Sequence, residues 1–320
     1  MMTQPPRDSA PDSSDDTSAL DRRAFLGAAA KGAAALFVAP ILVGCGGGGD
    51  VTGLGNKTGT TTPPTTNPPV TTTEPGKYYS RTVTVATGTF GYQVFVPNSA
   101  VAKPPYKVIV ALGGSTSRGS DNNLQLLEVF GEYVSAHLTT HPTLVILPQL
   151  PGGDGAAARV AFYQIVPAAI AAVTAEWSCD TSRIYLTGGS MGGDISYELL
   201  FLMPTTFAAA LICPGSCVPV TLDRLSSVSP FTTARAADMV AARVGNMPIQ
   251  VFLGTSDTTG DPAVNGIGGS YITLTREIFT EFKKAGSPII KTEYSTGHVG
   301  TWQTAYNDPN IMAWLYAQHR

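Results

Sequence analysis

Residues Gly188-Gly189-Ser190-Met191-Gly192 follow directly on the strand-like run Arg183-Ile184-Tyr185-Leu186-Thr187 and open a helical pattern over Met191–Leu202. A G-x-S-x-G pentapeptide at such a junction forces a turn so sharp that its flanking positions need glycine. The turn lifts the serine hydroxyl clear of the sheet. The pentapeptide therefore asks for a strand–turn–helix unit, with chemistry gathered beyond the carboxyl end of the strand. It acquires meaning only if a base, an acid and a loop of backbone donors fall at the ends of neighbouring strands.

The first 76 of the 320 residues are unlike the rest. Residues 1–20 are rich in Asp, Ser and Pro and carry too little apolar surface to fold. Asp21-Arg22-Arg23-Ala24-Phe25-Leu26 resembles a twin-arginine export signal. The Ala-rich apolar stretch behind it is broken by Lys31 and is too weak for a comfortable membrane span. It ends in Leu42-Val43-Gly44-Cys45, which resembles a lipobox and makes Cys45 the expected site of lipidation. An ordinary secretory signal with a chance cysteine is the plainer alternative. Residues 46–76 form a Gly/Thr/Pro-rich linker with almost no large apolar side chains. Segments 1–45 and 46–76 thus read as lipoprotein signal and tether. They place the folded part, 77–320, outside the cytoplasmic membrane, in the periplasm, at the outer membrane or at the cell surface. With Gly46 after the cysteine, the outer membrane is favoured in a diderm.

Charged residues make up 13% of the chain and the net charge is −3, so no basic stripe for nucleic acid is expected. Besides Cys45 there are Cys179, Cys213 and Cys217. Cys213 and Cys217 flank a Pro-Gly-Ser turn and could bridge in an oxidising compartment, or all three could be small buried apolar residues.

From Lys77 onward, Arg81–Ala86 and Tyr92–Val96 read as a hairpin joined by Thr87-Gly88-Thr89. Short apolar strands are then expected at Lys107–Leu112, Thr143–Leu147, Arg183–Thr187, Ala208–Cys213, Ile249–Leu253 and Ile289–Tyr294. Helical patterns alternate with them at Leu124–Ala136, Ala157–Glu176, Met191–Leu202, Thr233–Val244, Tyr271–Ala285 and Asn310–Gln318. Continuous apolar strands between helices imply an α/β fold: one mostly parallel central sheet, helices on both faces, and an antiparallel hairpin at its start.

Histidine is scarce, which narrows the choice of base. His137 and His141 lie at a helix end and in a loop before a strand. With no acidic ligand nearby they read as surface or packing residues rather than a metal pair. His319 is the penultimate residue. His298 remains, in a short loop, Ser295-Thr296-Gly297-His298-Val299-Gly300, after a strand. The orienting acid is expected between serine and histidine in chain order. Asp257, four residues past Leu253, is the first choice, with Asp261 of the same loop as competitor. Backbone donors for a developing oxyanion are expected at Met191, at the helix N-terminus, and in the loop Gly113–Asn122, where Ser115 is the choice.

Four stretches, Lys107–Asn122, Asp180–Gly193, Val251–Asp257 and Thr292–Trp314, the last containing His298 and Trp302, resemble the α/β-hydrolase superfamily. The likeness is to its secreted serine esterases of the polyhydroxybutyrate depolymerase and feruloyl esterase type, relatives of which are labelled predicted peptidases. The resemblance implies Ser190 as nucleophile, Asp257 as acid and His298 as general base. The chain departs from the pattern at Gly113-Gly114, where His-Gly is usual. Thr116 replaces a glycine of the same loop, and Asp257-Thr258-Thr259-Gly260 lacks the usual Val-Pro.

The expected function is that of a lipid-anchored serine hydrolase of carboxylic esters, working through an acyl-enzyme without metal or organic cofactor. Its partners are an ester substrate, of plant-polysaccharide or polyester origin, and the membrane through Cys45. Two other readings stand beside it: a non-catalytic envelope protein binding carbohydrate or polymer, and a serine peptidase with the same triad.

Overall fold

A computed structural model describes residues 74–152, 155–217, 232–264 and 267–320. The expected signal segment with Cys45, and the linker up to residue 73, lie outside them.

The described residues open with two long strands, β1 (Lys77–Val85) and β2 (Gly88–Val96), paired antiparallel in a hairpin. The turn falls on Ala86-Thr87, one residue earlier than the sequence suggested, and Gly88, at φ +141°, opens the return strand. Then follow β3 (Tyr106–Leu112), α1 (Val129–Ala136), β4 (Leu144–Pro148), α2 (Gly155–Glu176), β5 (Cys179–Gly189) and α3 (Met191–Leu202). The second half holds β6 (Ala209–Cys213), α4 (Thr233–Val244), β7 (Ile249–Gly254), β8 (Gly260–Val264), β9 (Ile267–Ser270), α5 (Tyr271–Lys284), β10 (Ile290–Tyr294), α6 (His298–Asn307) and α7 (Pro309–Ala317).

Among the described residues eight strands form one sheet in the order β1-β2-β4-β3-β5-β6-β7-β10. Pairing is antiparallel from β1 to β4 and parallel from there to β10. The alternation of strand side chains divides the core in two. Val108, Val110 and Leu112 of β3 point with Ile184 and Leu186 of β5 toward α2, α3, α4 and α5. Ile109 and Ala111 point with Tyr185, Leu211 and Phe252 toward α1, α6 and α7. Both faces are covered, which explains why the inner strands are apolar throughout rather than alternating.

Three elements differ from expectation. The pattern Leu124–Ala136 is not one helix: a 3₁₀ turn, Leu124–Leu127, is separated from α1 by Glu128, whose ψ of 159° is extended. The loop expected to hold Asp257 and Asp261 runs into the antiparallel ribbon β8–β9, and Asp261 lies within β8. The segment after β10 is also not a loop, since α6 begins at His298 itself. Gly297 and Gly300 give that stretch little helix propensity, but Trp302, Ala305 and Tyr306 bury the inner face of α6 against α1 and the sheet.

Candidate active site

Ser190 sits between β5 and α3 at φ +55° and ψ −126°, a region that side chains other than glycine rarely occupy. The surroundings hold it there. Its backbone N–H is shared between the carbonyls of Cys213 (3.0 Å) and Pro214 (2.8 Å), and its carbonyl accepts the Asp194 N–H at 3.0 Å in the first turn of α3. Two glycines are required by close approach. A Cβ on Gly189 would come within 2.7 Å of the Trp302 indole, and one on Gly192 would strike the Leu112 carbonyl at the end of β3.

The turn after β6 is clamped from α3. Asp194 Oδ1 accepts the Ser216 N–H at 2.6 Å and the Ser216 hydroxyl at 2.9 Å, while Asp194 Oδ2 pairs with Arg159 Nη2 at 3.0 Å. Both charged groups are nearly fully buried. The carbonyls that receive Ser190 N–H are thereby tied to the helix that Ser190 begins. Nothing in the sequence marked this clamp, because its parts lie on three separate elements.

Asp257 and His298 come from the ends of β7 and β10, which are parallel neighbours. His298 Nδ1 lies 2.7 Å from Asp257 Oδ2, a charge-assisted bond when Nδ1 carries the proton. Asp257 Oδ1 accepts the Thr259 N–H at 2.8 Å, so both oxygens of this buried carboxylate are engaged. Asp261, the competitor, lies in β8 with its backbone paired to Gly269. Tyr271, the first residue of α5, stacks on the imidazole, and Trp302 meets it edge-on at 5.4 Å between centroids. The structure draws no hydrogen bond between Ser190 and His298 among the described residues, and His298 Nε2 is buried without a protein partner. Trp302 touches the surroundings of both: it edges His298, and the Cβ position of Gly114 lies 3.2 Å from Trp302 and 3.6 Å from Ser190 Cβ.

Ser115 opens a single 3₁₀ turn, Ser115–Ser117, behind β3. The turn is fixed from within by the Ser117 hydroxyl and N–H, which donate to the Gly114 carbonyl at 2.8 and 3.3 Å. It is fixed from outside by the Thr116 hydroxyl, which donates to Glu128. Met191 is the first residue of α3, where the backbone N–H has no helical acceptor and the helix dipole is positive. Nothing local in the sequence singles out Glu128 or Tyr271, which fall within the helical patterns Leu124–Ala136 and Tyr271–Ala285.

Of the remaining histidines, His137 directs Nδ1 to the Tyr133 carbonyl at 2.7 Å. His141 is buried among Phe95, Phe130 and Tyr133, and desolvation pulls its imidazole down to about 4. Both are packing residues. Cys179, Cys213 and Cys217 are free thiols, so Cys213 and Cys217 are not bridged. Burial pushes Cys179 up to about 11 and the other two higher, which keeps them protonated.

No known family model matches the sequence, and no curated relative matches it significantly. Its fold does have counterparts among solved structures. A thermostable esterase superposes with a TM-score of 0.54 at 23% identity, over 76% of this chain and 63% of that one. This chain thus spans less than two thirds of that protein's length. S-formylglutathione hydrolase from Staphylococcus aureus gives 0.53 at 14% identity, covering 75% and 96%. The feruloyl esterase module from Clostridium thermocellum, solved with sinapinate, gives 0.52 at 14% identity, covering 79% and 91%. Likeness at these identities is likeness of fold. The chain has the α/β-hydrolase fold, with the hairpin, the sheet order and the strand-end turn described above.

Proposed function

We propose that this chain is a serine carboxylic ester hydrolase, lipid-anchored and extracytoplasmic, that works through an acyl-enzyme. The observation that carries the reading is the 2.7 Å bond between His298 Nδ1 and Asp257 Oδ2, at the carboxyl ends of β7 and β10, which run parallel to the strand that Ser190 follows. With its Nδ1 proton donated to Asp257, the imidazole presents Nε2 as a base. Nε2 takes the hydroxyl proton as Ser190 Oγ bonds to the ester carbonyl carbon. The resulting oxyanion is held by the N–H groups of Met191 and Ser115. Collapse breaks the bond to the alcohol oxygen, which leaves with the proton from Nε2. Water then repeats the sequence against the acyl-enzyme, His298 taking its proton and returning it to Ser190.

The fold shared with feruloyl and other esterases supports an ester as substrate. A polysaccharide- or polyester-derived ester is the class we put forward. The lipid anchor rests on the sequence around Cys45. Incorporation of labelled palmitate into the wild-type chain, lost in Cys45→Ser, is its test.

Hydrolysis of p-nitrophenyl acetate tests the chemistry. Ser190→Ala should lose at least ~10³-fold in kcat, the scale on which single triad members act. Turnover retained by that variant contradicts the proposal.

A further inference from the structure

Glu128 lies at the break between the 3₁₀ turn and α1 and caps that helix by position only. Its carboxylate makes no capping bond. Instead one oxygen accepts the Thr116 hydroxyl. The other, Oε2, lies 3.7 Å from the Cβ position of Gly114, the same point that is 3.6 Å from Ser190 Cβ and 3.2 Å from Trp302. Carboxylate, nucleophile and indole therefore converge on one glycine of the oxyanion loop. Glu128 is only 9% exposed, and none of the ion pairs among the described residues includes it.

A buried carboxylate without a cation is costly, and proteins normally pair or coordinate such a group. Here the cost falls where it does most harm: a negative charge next to the oxyanion loop opposes the charge that builds on the substrate during attack. A second acceptor points the same way. Among the described residues Gln125 Oε1 is buried without a partner, and Gln125 lines the same small cavity as Glu128, Gly113, Gly189 and Trp302. Its amide nitrogen is already used, donating to Asn122 Oδ1 at 2.7 Å. Two acceptors, one of them charged, thus belong to residues lining one small cavity, beside the Trp302 indole, whose Nε1 donor also has no partner among the described residues. A neutral apolar acyl group satisfies neither.

We infer that the site selects acyl groups bearing a primary ammonium next to the scissile carbonyl, with Glu128 supplying the counter-charge: α-aminoacyl esters are the substrate class. The inference rests on the serine-hydrolase reading above. An ammonium donates to both Glu128 and Gln125, and its positive charge offsets the carboxylate as the oxyanion forms. The pairing strengthens toward the transition state, so it is expressed in kcat/KM rather than in binding alone.

The test compares the p-nitrophenyl esters of alanine and propionic acid on the full-length protein, each rate divided by that ester's spontaneous hydrolysis. The wild type should favour the alanyl ester by ~10-fold or more in kcat/KM, the scale of one charge-assisted hydrogen bond. In Glu128→Gln, which keeps the side-chain volume and an acceptor for Thr116, that ratio should fall toward one. A wild-type ratio near one, or a preference that survives in Glu128→Gln, overturns the inference. If neither ester turns over and a fluorophosphonate leaves Ser190 unlabelled, the hydrolase reading has failed. Binding of alaninamide against propionamide, followed by NMR, then decides the cation site. Preference for alaninamide that Glu128→Gln abolishes upholds the site, and equal binding of the two amides overturns it.

Discussion

The ring of Tyr271 lies on the imidazole of His298, centroids 5.1 Å apart and planes 25° from parallel. The contact closes a circuit. His298 bonds Asp257, Asp257 accepts the Thr259 N–H, and the Thr259 carbonyl accepts the Tyr271 N–H at 3.2 Å. Acid and base are thus held in one loop of contacts that passes through the start of α5. Tyr271→Phe keeps the stack and should retain most of the wild-type kcat. Tyr271→Leu removes it and should lower kcat by up to ~10-fold with little change in KM, since such ring pairs contribute ~0.5–1.5 kcal/mol. Equal losses in both variants would mean that the ring does not position the imidazole.

The acid can be assigned by paired substitutions. Asp257→Asn preserves shape but leaves Nδ1 without its anionic partner, and should lower kcat by ~10⁴-fold. Asp261→Asn should stay within about 3-fold of wild type, in line with a residue outside the proton relay. The measurement is kcat on p-nitrophenyl acetate for both proteins, side by side.

Gly192 tests how tightly the turn is packed. Its Cα faces the Leu112 and Gly113 carbonyls, so Gly192→Ala sets a methyl group against backbone that cannot swing away. Destabilisation of ~1–3 kcal/mol is expected, the usual cost of forcing extra atoms into a filled core. A lowered urea midpoint at unchanged m-value would register it.

Acid should weaken the fold through His141. The folded state holds this imidazole neutral down to about 4, whereas the unfolded chain protonates it near the ordinary histidine value of ~6.5. Folded affinity for the proton is therefore the lower one. The contribution is fully present above pH ~6.5 and is lost as pH falls toward 4, reaching about 3 kcal/mol. Thermal melts across that window should show the decline, and His141→Leu should flatten it.

Much of this architecture is legible in the sequence. Helices α3 and α4 occupy the expected residues, and the inner strands fall within one or two residues of theirs, save β5, which runs further at both ends. Their apolar runs are bounded by glycine, proline and polar turns, and burial on both faces leaves no competing pattern. Ser190, Asp257 and His298 could be picked out because each follows a strand end. What escaped has a common cause. Tyr271, Glu128 and the Asp194–Ser216 clamp act through partners 22 to 27 positions away, or in the case of Glu128 12, on other elements. No local spacing encodes such contacts. The helical start at His298 is not legible locally, because Gly297 and Gly300 disfavour a helix and only the packing of Trp302 and Tyr306 outweighs them.

Everything proposed for this site depends on Ser190 being an activated nucleophile, and covalent labelling reads this without knowledge of the substrate. The full-length protein is treated with a fluorophosphonate, digested and analysed by mass spectrometry. A single phosphonyl adduct is expected on the peptide containing Ser190, strongly reduced in His298→Ala and absent in Ser190→Ala. A folded wild-type protein that remains unlabelled, or a label carried by another residue, would contradict it.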